Sequence, residues 1–142
     1  MYSILLTAHS YLRYFVLIML IIVSVTSLLG WLNKRNYGDS DNKMSLFLLI
    51  GTHLQFVLGL LLYFVSPYVR FGSETMKDAE FRYWTVEHVI MMLIAVALIT
   101  VARTTSKKID DPSARHRRVF ILNFIALVII FGAILMSKRG IF

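Results

Sequence analysis

Residues 82–103 read RYWTVEHVIMMLIAVALITVAR. Beyond Val89 the run is almost wholly apolar. At 1.5 Å of rise per residue, its length matches the roughly 30 Å hydrocarbon core of a bilayer. In lipid each backbone amide must find its partner within the segment, so a helix is the expected form. Yet Glu87 and His88 stand side by side near its start, and ionisable groups inside a span are expensive and tend to mark a site or a pathway.

Three other stretches have the same character: Ile4 to Leu32, Met44 to Val65, which is stopped by Ser66-Pro67, and Val119 to Met136. The 142-residue chain is 58% hydrophobic and only 16% charged, with a mean hydropathy of +0.70. Soluble domains carry about a quarter charged residues. The expected fold is therefore all-α, an integral membrane four-helix antiparallel bundle. It forms a single domain over residues 1–142, with spans at about 4–32, 44–65, 83–103 and 119–136. A transmembrane β-barrel would need short alternating segments, and the sequence has none. The first span lacks the basic start and small-residue cleavage site of a signal peptide, and His9 and Arg13 interrupt it, so it is expected to be retained. The longest connection, from Ser66 to Phe81, is expected to form a short interfacial helix or a cap over the bundle end.

There are no cysteines, which excludes disulfides, thiolate zinc sites, iron–sulfur clusters and the covalent attachment of c-type haem. A net charge of +7 would suggest nucleic acid in a soluble protein. Here the basic residues lie mainly between apolar blocks, where they set orientation and meet anionic lipid headgroups. No nucleic-acid module, hydrolase triad or phosphate-binding loop is present. The connections between spans 1 and 2 and spans 3 and 4 carry nine Lys and Arg against five on the opposite side. The positive-inside rule then places both termini on the outer side, and both are expected to be ordered and packed against something.

The ionisable residues within spans are His9, Arg13, His53, Glu87 and His88, joined by the uncharged Thr52, Gln55 and Asn123. At 100° per residue, His9 and Arg13 lie within about 40° of each other, in line with Leu20, Ser24, Ser27 and Trp31. Thr52, Gln55, Gly59 and Tyr63 form one stripe on span 2. His53 points elsewhere, so both sides of that helix are expected to be covered. His88 shares a face with Met91, Met92, Ala95 and Ile99. His9 and His88 fall at depths that differ by roughly 6 Å, and two histidines on facing helices suit haem b, with one imidazole on each side of the iron. That pair is the preferred one, and His88 with His53 is the second. Arg13 and Arg82 would meet the propionates, and Met91 or Met92 is a substitute ligand. A quinone would find contacts in Gln55, Tyr63 and Trp84. A non-haem metal held by His9, His53, Glu87 and His88 is less favoured, because Glu87 points about 100° away from His88. His116 falls in the basic 3–4 loop.

Polar groups in spans also serve packing alone, and hydrogen bonds of this kind are worth about 0.6–2 kcal/mol. On that reading Glu87 neutralises Arg13 or Arg82.

The segments HSYLRYFVL (9–17), THLQFVLGLLLYFVSP (52–67) and RYWTVEHVIMMLIA (82–95) resemble a family of small four-helix integral membrane proteins of Bacteroidota-type bacteria, loosely labelled cytochrome b-like. The resemblance implies a multi-pass protein of the bacterial inner membrane. It singles out His9, Arg13, His53, Gln55, Glu87 and His88 as motif positions. The expected function is binding of haem b in electron transfer or redox sensing, without independent catalysis. The alternative is a non-catalytic accessory or assembly subunit of a larger inner-membrane complex, or a homo-oligomer, in which the buried polar residues hold helices together.

Overall fold

The computed structural model describes residues 2–67, 69, 71–72 and 77–136, apart from the side chain at position 80. Among them every regular element is helical: α1 (Tyr2–Leu32), α2 (Asp39–Val65), α3 (Ala79–Arg82), a π-helical turn (Tyr83–Glu87), α4 (His88–Ser106) and α5 (Pro112–Met136). Four stretches, namely α1, α2, the run Tyr83–Ser106 and α5, are long and apolar enough to cross a membrane. α1 packs against α2 and α5, and α4 packs against α5 and α2. This leaves α1 and α4 at opposite corners of the bundle.

Val16, Leu20, Val23, Leu48, Ala95, Ile99, Val119 and Ala126 form the core. Small residues on the inward stripes, among them Ser24, Ser27 and Gly30 on α1 and Ala126 and Ala133 on α5, are buried. They let helix backbones approach closely. Large side chains such as Ile18, Leu54, Ile94 and Val128 face outward and exposed, the reverse of the pattern of a water-facing bundle.

The helices run past the apolar stretches. α2 begins at Asp39 rather than near Met44, with the Asp41 carboxylate accepting from the Gly38 N–H at 3.0 Å. That is half of a capping box, with the acidic residue in the third helical position. α5 begins at Pro112 rather than near Val119, and the Asp111 carboxylate accepts from the Ala114 N–H at 3.3 Å. An N-cap aspartate followed by proline in the first helical position is a start signal. Hydropathy does not register it, because the first turns of α5 are polar. This corrects the placement of His116. It lies on α5, not in a loop, and is 0% exposed.

α1 ends in a Schellman motif. The Arg35 N–H donates to Gly30 O at 2.9 Å and the Lys34 N–H to Trp31 O at 3.4 Å, with Lys34 in the left-handed region at φ 54°. Of the Ser66–Phe81 connection, α3 and a few flanking residues are described. A cap formed by residues 68, 70 and 73–76, and the packing of the termini at Met1 and 137–142, lie outside the described residues.

Two substitutions four residues apart should move stability in opposite directions. Lys34→Gly relieves a left-handed side-chain penalty and should stabilise by about 0.5–1 kcal/mol. A Cβ on Gly30 would lie 2.7 Å from the His116 ring, so Gly30→Ala should destabilise by about 1–3 kcal/mol. Unfolding in detergent, followed by far-UV circular dichroism, measures both.

Candidate functional site

The Glu87–His88 pair sits at the end of the π turn, where the His88 N–H bonds to Tyr83 O. In an α-helix, residues five apart point about 140° away from each other. Widening the turn to i→i+5 bonding swings them onto one face. Two such pairs result. Arg82 Nε donates to Glu87 Oε1 at 2.7 Å, which settles the partner of Glu87 in favour of Arg82. Tyr83 Oη lies 3.4 Å from His88 Nδ1, with Trp84 against the imidazole at a centroid distance of 5.1 Å.

Counting donors fixes the histidine. Tyr83 has one hydroxyl proton and donates it to Ala133 O on α5 at 2.5 Å. The contact with His88 therefore has Nδ1–H as donor and the tyrosine oxygen as acceptor. In its neutral form His88 then carries its lone pair on Nε2.

The same reasoning gives His9 the other tautomer. Gln55 Nε2 donates to His9 O at 2.9 Å and lies 3.3 Å from His9 Nδ1. A carbonyl only accepts, so that amide end is the NH₂, and its second proton meets Nδ1 as acceptor. In its neutral form His9 then carries its proton on Nε2. The ring rests over Gly59, where a Cβ would come 3.4 Å from Nε2. One stripe of α2 thus grips two neighbours, since Tyr63 donates to Thr85 O in the π turn at 2.9 Å.

His53 donates from Nε2–H to Thr100 Oγ1 at 3.0 Å, because that hydroxyl gives its own proton to Val96 O at 2.7 Å. His53 is exposed, beside Leu49, Ile50, Leu54 and Val57. Arg13 lies by Tyr14, with Nη2 3.1 Å from the hydroxyl. Met91 and Met92 are half-buried on α4.

The most enclosed polar cluster is at the opposite end of the bundle, and hydropathy gave no sign of it. His116 donates from Nε2–H to Asn36 O at 3.2 Å and packs 4.9 Å from the Tyr37 ring. The guanidinium of Arg115 lies over that same ring at 3.9 Å. Buried Asp41 accepts from both Nη atoms of Arg35, at 2.9 and 3.1 Å, and this carboxylate raises the Arg35 pKa. Burial pushes the Tyr37 hydroxyl up as well, against the opposing field of Arg115. Arg103, also buried, donates to Asn42 O at 3.0 Å. These contacts lock the two basic connections to the helix ends.

The span residues thus fall into three groups: His9 with Gln55, His88 with Tyr83 and Trp84, and His53 with Thr100. Among the described residues no group of three or more His, Asp and Glu side chains converges to hold a metal ion, and the His9–His53–Glu87–His88 set is not assembled. Compared with known proteins, the chain matches no family model, no curated protein and no solved structure.

Tyr83→Phe removes the donor to Ala133 O and the acceptor for His88. It should lower unfolding stability by about 1–2 kcal/mol. Tyr11→Phe, at a side chain 72% exposed, should leave stability unchanged in the same detergent titration.

Proposed function

We propose that this is a multi-pass protein of the bacterial inner membrane, of the cytochrome b-like kind its sequence resembles, with both termini outside. On this reading it binds haem b through His88, in electron transfer or redox sensing, and has no catalysis of its own. The observation that carries this reading is the Tyr83–His88 pair. A histidine ligates iron through a bare nitrogen while its other N–H is held by an outer partner, and Tyr83 supplies that partner for Nδ1. The π turn that creates the pair adds weight, since such turns are frequent at functional sites.

His9 does not fit as the second ligand in this arrangement. Gln55 blocks Nδ1 and keeps the proton on Nε2, so ligation would require Gln55 to let go. Arg82 is paired with Glu87 and would greet a propionate only as part of that pair. Haem, when bound, would supply the one-electron chemistry. The chain holds His88 in one tautomer and surrounds it with Tyr83 and Trp84.

A second reading, as an accessory subunit of a larger complex, is favoured by His53. Its Nδ1 is an acceptor on an outward apolar face, where a donor from a partner helix would be worth about 0.6–2 kcal/mol.

A dithionite-reduced minus oxidised spectrum, with a pyridine haemochrome assay, decides the first reading. We expect a b-type band at about one haem per chain, lost in His88→Ala and kept in His53→Ala. Protein that stays colourless when expressed with ample haem overturns it. Co-purification of a stoichiometric partner that is lost in His53→Leu would then support the second reading.

A further inference from the structure

Hydroxyls on these helices follow one habit. Thr26, Thr100, Thr104 and Thr105 each donate to the carbonyl four residues earlier, at 2.5 to 3.0 Å. Ser24 and Thr52 depart from it. Each is only 3% exposed, and neither hydroxyl has a hydrogen-bond partner among the described residues. Both are buried and, among the described residues, bond neither to their own helix nor to another.

Two amides present the complementary need. Asn123, 2% exposed, gives its NH₂ to Val119 O at 2.9 Å and keeps a buried, unpartnered Oδ1. Gln55 gives its NH₂ to His9 and keeps a buried, unpartnered Oε1.

Helix geometry sorts these four atoms into two places. The contact of Gly30 with His116 sets the register of α1 on α5. Ser24 lies six residues from that contact along α1, and Asn123 lies seven along α5. At 1.5 Å per residue these are about 9 and 10.5 Å, nearly one height on helices that pack together. Thr52 and Gln55 are three residues apart on α2, and so share a face. Each place offers a hydroxyl donor and an amide acceptor that do not bond to each other. One water molecule closes such a gap, accepting from the hydroxyl and donating to the amide oxygen.

We infer that the bundle interior binds water at two sites, one between Ser24 and Asn123 in the α1–α5 seam and one at Thr52 and Gln55 beside His9. The second site has a consequence for the imidazole. Water on Oε1 anchors one end of the Gln55 amide while the other end holds His9, so the His9 tautomer rests on a hydrated positioning residue.

Water-to-protein magnetisation transfer, read at the side-chain amides of isotope-labelled protein in nanodiscs, tests this directly. Cross-peaks to water are expected at both Asn123 and Gln55. Thr52→Val should abolish the Gln55 signal and spare Asn123, and Ser24→Ala should do the reverse. Absence of water transfer at both amides in the folded wild-type protein would overturn the inference without any variant. A structure with Ser24 Oγ bonded directly to Asn123 Oδ1 would overturn the first site. None of these outcomes depends on haem.

Discussion

The outer surface of this bundle is apolar along most of its length, so a polar side chain on a helix has little to turn to except another polar group of the same chain. Unmet donors and acceptors are expensive under that constraint, and the internal bonds are correspondingly specific. Tyr83 reaches α5, Gln55 reaches α1, Tyr63 reaches the π turn and Arg103 reaches the start of α2. Each bond uses a donor with a limited number of protons, and the histidines inherit their tautomers from that count. His9 and His88, equivalent as letters in a span, emerge as chemical opposites. One has its proton on Nε2, and the other has its proton on Nδ1.

The π turn is where local geometry decides chemistry. A regular helix through Tyr83–Glu87 would separate Arg82 from Glu87 and Tyr83 from His88 by about 140°. The wider turn assembles an ion pair and a tyrosine–imidazole pair from residues five apart in sequence. The charge of Glu87 is thereby matched at the bundle end, and His88 lies against Tyr83 and Trp84.

The four apolar helices and the inward stripes on α1 and α2 were legible in the sequence, because a period of 3.6 and a run of twenty apolar residues depend only on the order of residue types along the chain. The stripe of Thr52, Gln55, Gly59 and Tyr63 faces inward as its spacing implied. His53 was legible as polar but not as exposed, since which face a helix turns outward depends on its neighbours. The π turn had no visible signature, because one extra residue per turn leaves hydropathy unchanged. The buried cluster around Asp41, Tyr37 and His116 was missed for a different reason. It is built from polar first turns, and the signal that would have found it was Asp111-Pro112, an N-cap and first-turn pair. The pairing of His9 with His88 came from similar depth on helices expected to face each other, which says nothing of donors.

The tautomers of His9 and His88 follow directly from this network of internal bonds. Imidazole ¹⁵N chemical shifts distinguish a protonated ring nitrogen from a bare one, and labelled protein in nanodiscs gives them for each histidine. A protonated Nδ1 is expected for His88 and, for His9, a bare Nδ1 with a protonated Nε2. Finding both histidines with the same tautomer, or the two reversed, would contradict this assignment.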